Sequence, residues 1–197
     1  MTCWRIHVGQ CMAPVVVFGL LHGAVAQAAT VEHLTVSRDH KAYVVAARLR
    51  VDAPIGPVYA AATDFERLPD YTSMIESTRM IGNNELSSRM RLCVLWYCKT
   101  VRQVMRYRLT PRRRIDMTVV PGRGDLSAGQ AHWRFAAAKD HATNLRFRAR
   151  IVPGFWVPPL IGPWAVARAL RQQVAATAAA IERLARRRAG LTDKSSS

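Results

Sequence analysis

In NLRFRARIV, residues 144–152, Leu145, Phe147, Ala149 and Ile151 take every second position, and Asn144, Arg146, Arg148 and Arg150 take the others. Strict alternation of this kind suits a pleated strand with one apolar and one cationic face. The pattern recurs in QAHWRFAAA, where Trp133 and Phe135 alternate with His132 and Arg134. It recurs again in CKTVRQVMRYRL, where Met105, Tyr107 and Leu109 alternate with Arg106 and Arg108. Such strands side by side make a sheet with an aromatic face and an arginine face. The aromatic face must be covered by another element, while the arginines point outward. Outward arginines can simply solvate the sheet and discourage edge pairing, or they can meet anions, because like charges on neighbouring strands repel when left alone.

The cover is legible at the end of the chain. In PWAVARALRQQVAATAAAIERLARRR, Leu170, Val174, Ala178, Ile181 and Leu184 recur at helical spacing. Arg168, Arg171, Gln172, Glu182, Arg186 and Arg187 read as its polar side. A long amphipathic helix rich in alanine is therefore expected, packed on the sheet. Upstream, KAYVVAARLRVD reads as a half-buried strand carrying Tyr43, Val45, Ala47, Leu49 and Val51 on one face. Pro54 and Pro57 then open a short helix that Leu68-Pro69 breaks, giving a short helix pair. From Ile75 the chain reads as consecutive strands, IESTRMI, ELSSRMRLCV, CKTVRQVMRYRL, RRIDMTVV, QAHWRFAAA and NLRFRARIV, whose simplest assembly is an antiparallel meander.

The first 28 residues combine Arg5, an apolar stretch from Met12 to Leu21 and small residues offering A-x-A cleavage sites at Ala26 or Ala28. This predicts a secretory signal peptide, since the apolar run is shorter than the roughly 20 residues that span a bilayer. The expected layout is a leader over 1–28, one domain over 29–188 and a disordered tail over 189–197, with export, to the periplasm, as the address. Cys3 and Cys11 would leave with the leader, so Cys93 and Cys98 remain as an even pair in an oxidising compartment. On one straight strand they would face opposite sides. If VLWY turns a hairpin they oppose each other at bonding distance, and a disulfide is the expectation.

Basic residues number 29 against 13 acidic ones, a net charge of +16. Removing the leader takes away one arginine and no acid, so the charge belongs to the folded domain. Outside the cytoplasm it meets little nucleic acid, and anionic lipid is the expected counter-surface, although an arginine-rich composition would also produce it.

The order of strand, two short helices, meander and long helix acquires a family likeness through VDAPIGPVYAAATDFERLPDYTSMIESTRMI. This stretch has a strand ending in an xAP-type turn and the TDFERLPDY helix break, and a WRF strand follows later, after a glycine-containing loop. Over about residues 31–188 the chain resembles the START-like polyketide cyclase/dehydrase (SRPBCC) superfamily, and within it the coenzyme Q-binding START-domain-like group. The resemblance implies an α+β helix-grip fold: a curved antiparallel sheet wrapped around a long C-terminal helix, two short helices after the first long strand, and an apolar cavity between sheet and helix.

Within that frame Tyr107, Trp133, Phe135, Phe147 and Leu170 are expected to line the cavity. The proline-rich segment FWVPPLIGPW cannot continue a strand or helix; its aromatics either cap the core where the last strand hands over to the helix, or Phe155, Trp156, Leu160 and Trp164 form a gate at the cavity mouth. Arg150 and Arg168 would meet anionic headgroups there. No GxSxG, HExxH or phosphate-cradling glycine loop occurs, the histidines lack metal spacing, and no catalytic residue, metal or cofactor is assigned. Asp64, Glu66 and Asp70 are read as capping or solvated groups and Arg123-Gly124-Asp125 as a turn, while His132 is expected to point away from the cavity.

The expected function is a carrier of a hydrophobic small molecule or lipid, with an anionic membrane surface as further partner and no nucleic acid. A cyclase or dehydratase using the same cavity, or a protein-binding START-like module, are the alternatives. Nothing in the sequence sets the oligomeric state.

Overall fold

The computed structural model describes residues 29–190. The expected leader and the tail beyond Gly190 lie outside them. Eight strands form one antiparallel sheet: β1 (Thr30–Asp39), β2 (Ala42–Val51), β3 (Ile75–Ile81), β4 (Glu85–Val94), β5 (Tyr97–Thr110), β6 (Arg114–Val119), β7 (Leu126–Ala137) and β8 (Thr143–Pro153). Their spatial order is β1-β2-β8-β7-β6-β5-β4-β3. After the β1–β2 hairpin, helix α1 (Ile55–Ala62) and a 3-10 turn over Phe65–Asp70 carry the chain to the far edge. The meander β3 to β8 then returns until β8 pairs with β2. Helix α2 (Pro163–Arg188) packs across the curved sheet, with Pro163 in its first turn where a missing N–H costs nothing.

Expectation and structure coincide over β3, β4 and α2, and differ at two strands and at the helix break, which falls at Thr63-Asp64, with Leu68 and Pro69 inside the 3-10 turn. β1 precedes the strand read as the first. Its register shifts between Val31 and His33, so the inward residues Val31, Leu34 and Val36 lose the strict period of two that betrays a strand. β7 begins at Leu126, inside what reads as a loop, because Gly129 lies in the strand. A Cβ there would stand 2.9 Å from Val119 Cγ2, so the position demands glycine for close packing rather than for a turn.

Register turns alternation into two surfaces. One inward row runs Ala47, Phe147, Trp133, Ile115, Leu109 across β2, β8, β7, β6 and β5. An outward row runs Arg48, Arg146, Arg134, Arg114 across four of the same strands. Val58 and Ala61 of α1 and Ala178, Ile181 and Ala185 of α2 are buried against the inward face.

Cys93 and Cys98 oppose each other in the β4–β5 register and are joined by a disulfide, with Leu95-Trp96 as the turn. Closing so short a loop removes little chain entropy, so the bond stabilises toward the lower end of the roughly 2–4 kcal/mol typical of disulfides.

Glu182 overturns its reading as a polar-face residue. It is 5% exposed and accepts the Asp52 backbone N–H at 2.9 Å, which ties α2 to the end of β2. Burial raises its carboxyl above the ordinary range, opposed by that hydrogen bond; the Asp52 charge adds to the rise, and Arg186 and Arg183 offset part of it. A raised folded-state value means that its contribution to stability is full below the ordinary glutamate range and fades as pH rises through the shifted value. Glu182→Gln retains an acceptor and has no charge to desolvate. Its melting temperature should therefore gain on the wild type between pH 4 and pH 7, whereas parallel melting curves across those pH values would reject the assignment.

Candidate functional site

The residues expected to form one site fall into three environments. Tyr107, Trp133, Phe147 and Leu170 are half-buried against the main core, and Phe135 is buried within it. Phe155 packs on a smaller cluster of Val101, Val119 and Leu126. Trp156, Leu160 and Trp164 stand 70%, 71% and 63% exposed. The segment FWVPPLIGPW thus splits into an inward half and an outward half.

On the inner face the Trp133 and Phe147 rings lie 4.5 Å apart across β7 and β8. Phe135 meets the Tyr59 ring of α1 edge-on at 5.3 Å, and Tyr107 meets Phe65 at 5.0 Å. The principal neighbours of α2 are β1, α1, β2 and β4, not the central strands β6, β7 and β8. Trp133 and Phe147, at the centre of the sheet, therefore keep part of their surface uncovered. A cleft of about 350 Å³ opens beside this face, lined by Phe65, Met80, Tyr107 and Leu109 together with Thr63, Asp64 and Glu66.

Sequence reading missed Tyr59. Its hydroxyl is buried without a hydrogen-bond partner among the described residues, and burial raises its pKa. Only the YAA run of α1 hints at it, and periodicity cannot say that a tyrosine oxygen ends unpaired. Such a group is costly unless a ligand oxygen or water meets it.

The β8–α2 loop is anchored rather than loose. Tyr43 OH donates to the Ile161 carbonyl at 3.1 Å, with Ile161 2% exposed, and Gly154 N–H donates to the Asp125 carbonyl at 2.9 Å. Tyr97 OH donates to the Trp156 carbonyl at 3.1 Å, and Lys99 Nζ lies 5.4 Å from the Phe155 ring centroid. The Trp164 indole folds over Gly162, where a Cβ would come within 3.1 Å of the ring. Arg168 is exposed one turn into α2; Arg150, on the outer face, is bound instead to Asp39 at 3.1 Å.

Of the acids, Asp64 and Glu66 border the cleft, and the others lie away from it. Asp64 pairs with Arg188 at 2.6 Å and Asp70 with Arg67 at 3.2 Å, and neither Asp64 nor another side chain caps the 3-10 turn. His132 Nδ1 lies 2.6 Å from Asp116 on the outer face, where Arg114 also donates to Asp116 at 2.7 Å. Burial alone would raise the Asp116 carboxyl; the His132 and Arg114 hydrogen bonds outweigh it and hold the group below the usual range. Asp125, of the Arg-Gly-Asp stretch, accepts the Arg102 N–H at 2.7 Å, and a Cβ at Gly124 would collide with the Arg102 backbone, which makes this stretch a structural turn. Among the described residues no group of His, Cys, Asp and Glu could hold a metal ion, and no helix is long and apolar enough to cross a membrane.

A curved antiparallel sheet gripping one long C-terminal helix, with an aromatic inner face, defines a START-like helix-grip protein. The family model for polyketide cyclase/dehydrase and lipid transport matches residues 43–185, and the chain belongs to that family. Solved structures repeat the fold. A START superfamily protein from Mycobacterium smegmatis superposes with a TM-score of 0.57 at 15% identity, covering 72% of this chain and 96% of its own. The Zhui aromatase/cyclase from a Streptomyces species does so at 0.54 and 18%, covering 74% and 95%. A conserved protein from Geobacillus kaustophilus does so at 0.59 and 10%, covering 73% and 95%. Comparison with curated proteins gives no match.

Proposed function

We propose that the protein is an exported carrier of a hydrophobic small molecule or lipid, held against the inner face of the sheet and exchanged at an anionic membrane surface. The observation that carries this reading is the half-buried aromatic pair Trp133 and Phe147 on the inner face, away from the strands that α2 approaches most closely. The family's description joins cyclase and lipid-transport members, and the distribution of polar groups supports the carrier. A cyclase needs acids and bases converging inside. Here the Asp116–His132 pair lies on the outer face, Asp64 at the cleft is paired with Arg188, and the buried, unpaired hydroxyl of Tyr59 suits a hydrogen bond to a ligand oxygen.

Native mass spectrometry and lipid extraction of protein purified from the periplasm test the carrier directly. A bound lipid, quinone or comparable apolar compound should be recovered. Tyr59→Phe should weaken its retention when the compound carries an oxygen, without loss of thermal stability, because the hydroxyl has no protein partner to lose. Protein that is recovered without any ligand and takes up no fluorescent fatty acid would overturn the reading, and N-terminal sequencing that begins at Met1 would overturn export.

A further inference from the structure

The β4–β5 hairpin tip breaks the usual chemistry of a two-residue turn. Such turns favour Gly, Asn or Asp where φ is positive, yet this one holds Leu95 at φ 56° followed by Trp96. Leu95 is 49% exposed and Trp96 71%, so neither side chain repays the conformation by packing. The tip is nonetheless held firmly: the Cys93–Cys98 disulfide clips its base, and Tyr97 OH binds the Trp156 carbonyl. Leu95 and Trp96 therefore stand at the same end of the molecule as Trp156, Leu160 and Trp164. Lys99 lies close by over Phe155. No acidic residue occurs from Leu86 to Ile115, the stretch that holds the tip, or from His141 to Ile181, the stretch that holds the loop, and Asp125, which binds both stretches through the Arg102 and Gly154 N–H groups, is flanked by Lys99 and Arg102.

We propose that Leu95-Trp96 is a membrane-inserting tip which, together with the β8–α2 loop, seats this end of the protein in the interface of an anionic bilayer. The inference rests on the membrane-exchange reading above and adds to it a second contact element. The chemistry is that of an interfacial anchor. Indole rings combine an apolar body with an N–H that stays hydrated at headgroup depth, and cations beside them meet phosphate. A positive-φ leucine and an exposed tryptophan, costly in water, gain their apolar contacts only against lipid. The clip keeps the tip from folding back.

The test uses the mature chain and vesicles of phosphatidylcholine and phosphatidylglycerol in equal parts. The variant Leu95→Gly/Trp96→Ser installs the residue a turn of this shape prefers, so it should melt no lower than the wild type while losing about tenfold in vesicle affinity, the effect of withdrawing part of two large apolar side chains from lipid. In a Trp156→Phe/Trp164→Phe background, brominated phospholipid should quench the emission of Trp96, and adding Trp96→Phe should remove that quenching. If the wild type does not bind these vesicles, the membrane-exchange reading falls and this inference with it. If the wild type binds, Trp156→Ala weakens binding and the tip variant binds like the wild type, the tip is no anchor and only the loop's role survives. A concentration-dependent dimer that the tip variant abolishes, without vesicle binding by the wild type, would mark the end as a contact between copies of the chain and overturn the proposal.

Discussion

Phe135→Ala should lower the unfolding free energy by about 3–5 kcal/mol, the loss typical of deleting a buried aromatic ring. Phe135 is 6% exposed, lies opposite Leu145 in the β7–β8 register and meets Tyr59 of α1 edge-on. Its removal would leave a void between sheet and helix that neither backbone can collapse into. Trp133→Ala and Phe147→Ala act on half-buried rings two residues or one strand away, so they should cost less in stability and more in ligand retention. Urea unfolding of the three variants separates the roles. A loss below about 1 kcal/mol at Phe135 would reject its place in the core and return it to the ligand surface.

Trp156→Ala should reduce affinity for anionic vesicles about tenfold and leave the melting temperature unchanged. The side chain is 70% exposed, and the contact that fixes the residue runs through its backbone carbonyl to Tyr97, which the substitution spares. Binding should also weaken with added salt, because the cationic share of the attraction is screened. Co-sedimentation and thermal melting together check this. Unfolding of the variant would make the segment a cap of the core, and unchanged vesicle binding would remove it from the membrane contact.

The arginine row on the outer face bears on both experiments. Arg48, Arg134, Arg146 and Arg114 stand directly opposite one another in a single row, and among the four only Arg114 has a carboxylate partner, Asp116, among the described residues. Like charges so placed are mutually destabilising, and an anionic surface or added salt relieves them. The wild type should consequently gain stability from salt even as it loses vesicle affinity, a divergence that a purely apolar docking surface would not produce.

The elements visible in the sequence were those whose signal is local. The apolar-polar alternation in NLRFRARIV and ELSSRMRLCV, and the 3.6-residue stripe of α2, depend only on the chain's own repeat, and those strands and that helix lie where the patterns put them. The Cys93–Cys98 clip was legible for the same reason, since a short hairpin leaves one geometry in which the two thiols meet. The bulge of β1 hid a strand by breaking the period, and Gly129 hid the start of β7 by resembling a turn residue. Tertiary structure alone decided which side chains met across the sheet or between loops. It buried Glu182 against the Asp52 N–H, joined His132 to Asp116, left the Tyr59 hydroxyl unpaired, and brought the hairpin tip beside FWVPPLIGPW through Tyr97. None of these follows from a repeat, because each depends on strand register and on where the chain returns after a long excursion. A sequence window carries the direction in which a residue faces, but not the partner that waits there.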